Sequence, residues 1–353
     1  MPMLSTLPPW ARTLLTLALS ALGAGLFWLI QMPLPFLFGP MFACLAAALA
    51  GLPLRSAGQI GIGARTILGV AVGAALTPAV LAQLPSMLAS VALIPIYIGL
   101  IGLVGVPFFR RVCGYDAATA WYAAMPGGLQ DMVVFGTEAG GNGRTLSLIH
   151  ATRVLVIVTL APILMTQLFG ASLTQPIGEP ARDLPLHEMT LMAAAALIGW
   201  KGGERIGMFG ASILGPLVLT GVLSLSGLIH HRPPAEAILV AQFFIGAAIG
   251  VGYTGITLLE LRRDVLAGVG FVLLLAALAA LMSEVVYQLG LAPAVEAFLA
   301  FAPGGQAEMT VLAIVAGADL GYVVVHHLTR ILLVISGAPI AARLVGAGRK
   351  GQK

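Results

Sequence analysis

MPGGLQDMVVFGTEAGGNGRTLSLIHATRVLVIVTLAP, residues 125–162, recurs 177 positions later as APGGQAEMTVLAIVAGADLGYVVVHHLTRILLVISGAP, residues 302–339. From Pro126 onward 13 of 37 aligned positions are identical without a gap, where chance in so biased a composition gives about three. The identities include residue types that stand out in an oily chain. Pro126-Gly127-Gly128 matches Pro303-Gly304-Gly305, His150 matches His327, and Thr152-Arg153 matches Thr329-Arg330, while Asp131 aligns with Glu308. The offset is half of the 353-residue chain, so the sequence is a tandem duplication: residues 1–169, a connector at 170–186, and residues 187–353. Fainter echoes agree. Gly39-Pro40 answers Gly215-Pro216, and ILGVAVGAALT (67–77) answers FIGAAIGVGYT (244–254).

Composition sets the solvent. The chain is 59% hydrophobic and only 9% charged, with mean hydropathy +1.01. Soluble domains carry roughly a quarter charged residues, so the expected medium is lipid. The net charge of +4 and pI near 9.3 point to basic cytoplasmic loops rather than to nucleic acid. Two cysteines, Cys44 and Cys113, provide neither a disulfide framework nor a metal-ligand spacing. The apolar run at 13–30 is followed at once by a second one and lacks a small-residue cleavage site, which reads as an uncleaved first helix.

Apolar runs approaching the roughly 20 residues that a bilayer requires fall at 11–31, 35–52, 58–76, 87–109 and 144–169, then at 187–200, 208–228, 235–255, 265–289 and 322–345. Two further segments, 116–140 and 293–318, are broken at the Pro-Gly-Gly triplets. Charge decides whether these cross or turn back. With the N-terminus cytoplasmic and both broken segments re-entering on their own side, 13 of the 18 Lys and Arg lie inside; if they cross, ten do. The positive-inside rule favours re-entry. Five spans per half is an odd number, so the second half inserts upside down. The expected fold is an all-α polytopic membrane protein of two inverted-topology repeats, each with five transmembrane helices and one Pro-Gly-Gly re-entrant or broken hairpin. Both termini are expected in the cytoplasm.

These breaks are the candidate site. A Pro-Gly-Gly vertex frees backbone groups from the helical ladder, and in hydrocarbon such groups persist only where protein or a wet cavity satisfies them. A plain packing kink explains one vertex equally well; a pair at matching repeat positions favours a function. Arg153 and Arg330 sit near mid-membrane, where a charge costs on the order of 2.5–3.5 kcal/mol and needs a partner or a cavity. His150 and His327 precede them by three residues and share their helix face. Asp131 and Glu308 lie five residues after each proline. Two readings stand side by side: ion pairs Arg153–Asp131 and Arg330–Glu308 clamp each hairpin, or the arginines counter a bound anion. Each vertex also carries one glutamine, Gln130 and Gln306, at different offsets. Glu138 and His326 have no counterpart and read as packing or lining residues, and His230-His231-Arg232 reads as a solvated turn.

Two halves, each with an early Gly-Pro helix, a late PGG-x-x-[DE]-M motif (126–132 and 303–309) and a helix bearing H-x-T-R, resemble the AbrB-type duplicated integral membrane family. The resemblance covers essentially the whole chain and implies a bacterial inner-membrane protein. Family members carry the labels ammonia monooxygenase and AbrB regulator. An oxygenase needs a histidine or carboxylate metal constellation, and the six histidines here are scattered. A direct DNA-binding role needs a soluble basic domain, and the chain has none to offer. The favoured expectation is no enzyme but a secondary transporter or exporter of a small anionic or zwitterionic metabolite. Its site residues would be Pro126, Gly127, Gly128, Gln130, Asp131, His150, Arg153, Pro303, Gly304, Gly305, Gln306, Glu308, His327 and Arg330. No cofactor is expected beyond a coupling H⁺ or Na⁺. Expected partners are substrate and bilayer; a homodimer is compatible, though the sequence fixes no interface. The alternative is a membrane-embedded regulator that affects gene expression indirectly. A GxxxxGK[ST] nucleotide loop is absent, so this chain has no sign of an ATP motor.

Overall fold

A chain immersed in lipid must satisfy its backbone internally, and among the described residues this one forms helices and no strand. The computed structural model describes residues 7–32, 34–173, 175–208 and 210–347. The first half runs α1 (Pro9–Leu29), α2 (Pro35–Leu49), α3 (Gln59–Ala74), α4 (Pro78–Val91), α5 (Leu93–Pro107) with a π-helical turn at Phe108–Val112, α6 (Ala117–Ala124), α7 (Leu129–Glu138) and α8 (Gly143–Phe169). The second runs α9 (Leu186–Arg205), α10 (Ala211–Leu225), α11 (Ala235–Val251), α12 (Leu258–Glu260), a π-helical turn at Leu261–Val265, α13 (Leu266–Gln288), α14 (Ala294–Phe301), α15 (Gln306–Ala316) and α16 (Leu320–Leu344).

Among the described residues five stretches are long and apolar enough to cross a membrane: Pro9–Leu29, Pro78–Val112, Gly143–Phe169, Leu258–Gln288 and Leu320–Leu344. The protein is therefore membrane-embedded. α1 shows the lipid signature directly. It buries Thr16, Ser20, Gly23 and Ala24, while Trp10, Leu22, Trp28 and Leu29 are each more than 60% exposed. Small residues face protein and large apolar ones face outward, as packing without a hydrophobic drive demands. The span expected at 87–109 begins nine residues earlier, at Pro78. A proline suits the first helical turn, and the helix tolerates Pro85 further along. α2, α3, α10 and α11 have only 15–17 residues, fewer than the sequence pattern offers.

The chain folds into two compact units, and each draws on both sequence halves. The first comprises Met1–Gln83, Ser172–Ile256 and Ile314–Gly321; the second comprises Leu84–Ala171, Thr257–Ala313 and Tyr322–Lys353. The division into residues 1–169 and 187–353 thus describes the duplication, not two bodies.

In the first unit close backbone approach is reciprocal between repeats. A Cβ on Gly69 would collide with the carbonyl of Ile213, and one on Gly246 with that of Leu37; Gly73 likewise meets Leu217, and Gly250 meets Met41. Gly69 and Gly246 are equivalent repeat positions, as are Leu37 and Ile213 to within one residue. Residue i of one copy touches j of the other and the reverse also holds, which is the mark of a two-fold relation. Rising numbers pair with rising numbers in both crossings, so α3 runs parallel to α10 and α2 parallel to α11. A leucine at Gly246 has nowhere to go, because the obstacle is backbone. Gly246→Leu is expected to lower stability by about 1–3 kcal/mol or more, seen as a lower melting temperature in detergent. Gly25→Leu, which faces open space, should melt like the parent.

Candidate functional site

The second unit holds both breaks. Asp116 caps α6 by accepting from the Thr119 N–H at 2.9 Å, and Asn142 caps α8 by accepting from the Thr145 N–H at 3.1 Å. Between these caps the chain doubles back. The Asn142 N–H donates to Thr119 Oγ1 at 2.8 Å, and a Cβ on Gly136 would press on Tyr122, so α6 and α7 run antiparallel about Pro126-Gly127-Gly128. α8 then climbs beside the pair. Arg153 lies ten residues after Gly143, about 15 Å along the helix, level with the vertex.

Ending α6 at Ala124 leaves its last carbonyls without helical donors. His150 Nε2 bonds the Tyr122 carbonyl at 3.0 Å. The Arg153 guanidinium spans the break, Nη1 to the Met125 carbonyl at 3.2 Å and Nη2 to the Gly127 carbonyl at 2.7 Å. The second copy repeats this bond for bond. His327 Nε2 bonds the Leu299 carbonyl at 2.8 Å, Arg330 Nη1 the Ala302 carbonyl at 2.8 Å and Arg330 Nη2 the Gly304 carbonyl at 3.0 Å. All four side chains are no more than 3% exposed. Cations at a helix C-terminus meet the negative end of its dipole, and a planar fork suits two carbonyls at once.

The expected clamps Arg153–Asp131 and Arg330–Glu308 do not form. The side-chain bonds of both arginines go to backbone carbonyls, and in the second copy also to His327 Nδ1 at 3.1 Å. The freed carbonyls are the nearer and more numerous acceptors. Asp131 is half-buried on α7, whereas Glu308 is buried and folds over Gly305, where a Cβ would strike its carboxylate. The motif methionine also has its reason: a Cβ on Gly127 would lie 2.7 Å from Met132 Cε, and one on Gly304 2.6 Å from Met309 Cε. Each methionine fills the space under its glycine. Gln306 opens α15 with its Nε2 unpartnered, and the side chain of Gln130 lies outside the described residues.

Two buried guanidinium groups remain without a carboxylate bonded to either. They lie within electrostatic reach of each other and of Tyr97, and Arg153 also feels the carboxylate of Glu308. Each also keeps one N–H in reserve, because Arg153 Nε and Arg330 Nε are buried without a partner, as is His150 Nδ1. A pair of like charges with unused donors is an anion-ready arrangement. Among the described residues no group of three or more His, Cys, Asp or Glu is placed to hold a metal ion.

Residues 36–346 match the family described as "Transition state regulatory protein AbrB". The chain belongs to the AbrB family. It is similar to "Uncharacterized protein YhjN" of Bacillus subtilis (strain 168), 27% identical over 354 residues that cover 93% of this chain and 92% of that protein. It is also similar to "Putative regulator AbrB" of Escherichia coli (strain K12), 23% identical over 325 residues, with 90% and 92% covered.

In this AbrB-family chain three polar contributors escape sequence reading. Tyr97 on α5, 1% exposed, donates its hydroxyl to the Phe301 carbonyl at 2.9 Å, beside the second break. Asp264 accepts from Tyr115 at 2.7 Å and from Thr145 at 3.1 Å, tying the base of the first hairpin. Glu188, buried, takes the N–H groups and Nδ1 atoms of His230 and His231, so that turn is anchored rather than merely solvated. His326 bonds Tyr322 and Ser90, in keeping with a packing role, and Glu138 is exposed. Only Tyr97 had a signal, a lone phenol in an otherwise apolar run, since a buried tyrosine seeks a partner for its hydroxyl. Tyr97→Phe should leave the Phe301 carbonyl unsatisfied and cost about 1–3 kcal/mol, measured as the loss of melting temperature in detergent.

Proposed function

We propose that this protein is an ion-coupled secondary transporter or exporter of a small anionic or zwitterionic metabolite, with substrate held between the two Pro-Gly-Gly vertices. The carrying observation is the pair of buried arginines, within electrostatic reach of each other, each stretched across a broken backbone and each with an unused N–H. Broken helices whose freed groups line the binding region are how many secondary transporters build sites at the midplane. Arg153 and Arg330 act as counter-charges, while Asp131 and Glu308 are the candidate coupling sites for H⁺ or Na⁺. No catalysis and no cofactor enter this reading.

In the same reading ten spans form two inverted repeats in a bacterial inner membrane, with both termini in the cytoplasm. Helix direction supports the inversion independently of charge. α2 and α3 as consecutive spans run oppositely; α10 is parallel to α3, hence opposite to α2, its own counterpart. Gly61 also lies against Phe244, although the counterpart of Phe244 is Ile67. A contact so far out of register fits counterpart helices α3 and α11 running antiparallel.

Proteoliposomes loaded with a panel of mono- and dicarboxylates and amino acids, under an imposed H⁺ or Na⁺ gradient, test the reading. Gradient-driven flux of at least one anion or zwitterion is expected. No flux above protein-free vesicles for any member would sink it. The printed name of the Escherichia coli relative favours a second reading, a membrane-embedded regulator without transport. It predicts an expression phenotype that survives when solute gradients are collapsed.

A further inference from the structure

We propose that a groove between α5 and α16 in the second unit holds an acyl chain of an anionic phospholipid. The cavity has a volume of about 680 Å³, within the roughly 300–1,000 Å³ of small-molecule sites. Among the described residues its lining is apolar apart from Arg110, the one charged side chain on its wall. Glycine keeps it open: a Cβ on Gly99 or Gly337 would face empty space, and one on Gly102 would meet only Met125 Cε, at 3.4 Å. Three side chains are thus missing from the walls, two on α5 and one on α16, where helix propensity alone favours alanine or leucine. An apolar slot with a guanidinium on its wall, in a membrane-embedded chain, complements an amphipathic anion. The chain fills the slot, and the phosphate takes a charge-assisted bond from Arg110.

The groove also touches the hairpin. Trp121 of α6 lines it and donates its indole N–H to the Ala338 carbonyl of α16 at 3.1 Å. Met125 lends its side chain to the wall and its carbonyl to Arg153. An occupant therefore braces the first vertex from behind. This inference stands whether or not the protein moves a solute.

Trp121 is the probe. The variant keeping only Trp121, with Trp10, Trp28 and Trp200 changed to Phe, is placed in vesicles containing phosphatidylglycerol or phosphatidylcholine with brominated acyl chains. Brominated phosphatidylglycerol should quench Trp121 at a several-fold lower mole fraction than brominated phosphatidylcholine. Arg110→Gln should erase that preference. Gly337→Leu should fill the slot and remove the excess quenching with no loss of melting temperature; Gly99→Leu, also facing open space, is the second filling variant. Equal quenching by the two lipids overturns the proposal, since it marks ordinary surrounding lipid. So does quenching unchanged in both filling variants. Quenching by neither lipid gives the groove to a protein segment or a second copy, and overturns it too.

Discussion

Arg153→Lys and Arg330→Lys are each expected to lower solute flux per folded protein by about tenfold to a hundredfold. Bonding geometry sets the size of the loss. Each arginine donates to two carbonyls of one break, and an ammonium on a single stem cannot reproduce that planar fork. Losing one bond from a charged donor is worth roughly 1.5–3 kcal/mol, which sets the range. Alanine is the harsher change: it strands two buried carbonyls at about 1–3 kcal/mol each, and such a variant risks not folding. Lysine keeps charge and backbone contact in part, so it separates function from collapse.

The double variant discriminates between the two roles. If each arginine merely holds its own vertex, the two losses add, because the carbonyls of Met125 and Gly127 are not those of Ala302 and Gly304. If both also grip one anion, the losses overlap, and the double variant sits above the product of the singles. Flux in both single variants equal to the parent would remove these residues from transport, and strict additivity would leave them as hairpin staples. Melting temperatures measured alongside show which variants still fold.

What could be read from sequence was whatever contrasts with lipid. Prolines, paired glycines and lone charges stand out in an apolar chain, so the breaks at 126–128 and 303–305 and the His–Arg pairs beside them were legible. The partners of those arginines were not, because a backbone carbonyl has no letter of its own. Carboxylates do, and one of the two readings the sequence allowed paired the arginines with Asp131 and Glu308, whereas their direct bonds go to carbonyls. Tyr97 and Phe301 stand 204 residues apart, and Tyr115 and Asp264 stand 149 apart; such pairings follow from packing, which spacing along the chain does not encode. The compact units were hidden for a related reason. A duplication is contiguous in sequence, but helices that bury small residues against each other need not be, and here each half gives its first three helices to one unit.

Cysteine labelling from the two sides of the membrane has the sharpest expected outcome, since inversion makes it all or none. Glu138, exposed at the end of α7, marks the base of the first hairpin; Ala318, between α15 and α16, marks the base of the second. With inverted halves, Glu138→Cys reacts only with reagent in the cytoplasm and Ala318→Cys only with reagent outside. A cysteine at Gly127 or Gly304 is a poorer probe, because its Cβ would be driven into Met132 or Met309. The native thiols intrude little. Cys44 is fully buried against Ser20. Burial pushes the Cys113 thiol up, against an opposing pull from Arg263, and since the thiolate is the reactive form it labels slowly at neutral pH; Cys113→Ser removes the remainder. Labelling of both engineered cysteines from one face would mean that the halves point the same way. Two vertices entering from the same side could not form a gate open first to one compartment and then to the other, so the transport reading would fall with the inversion.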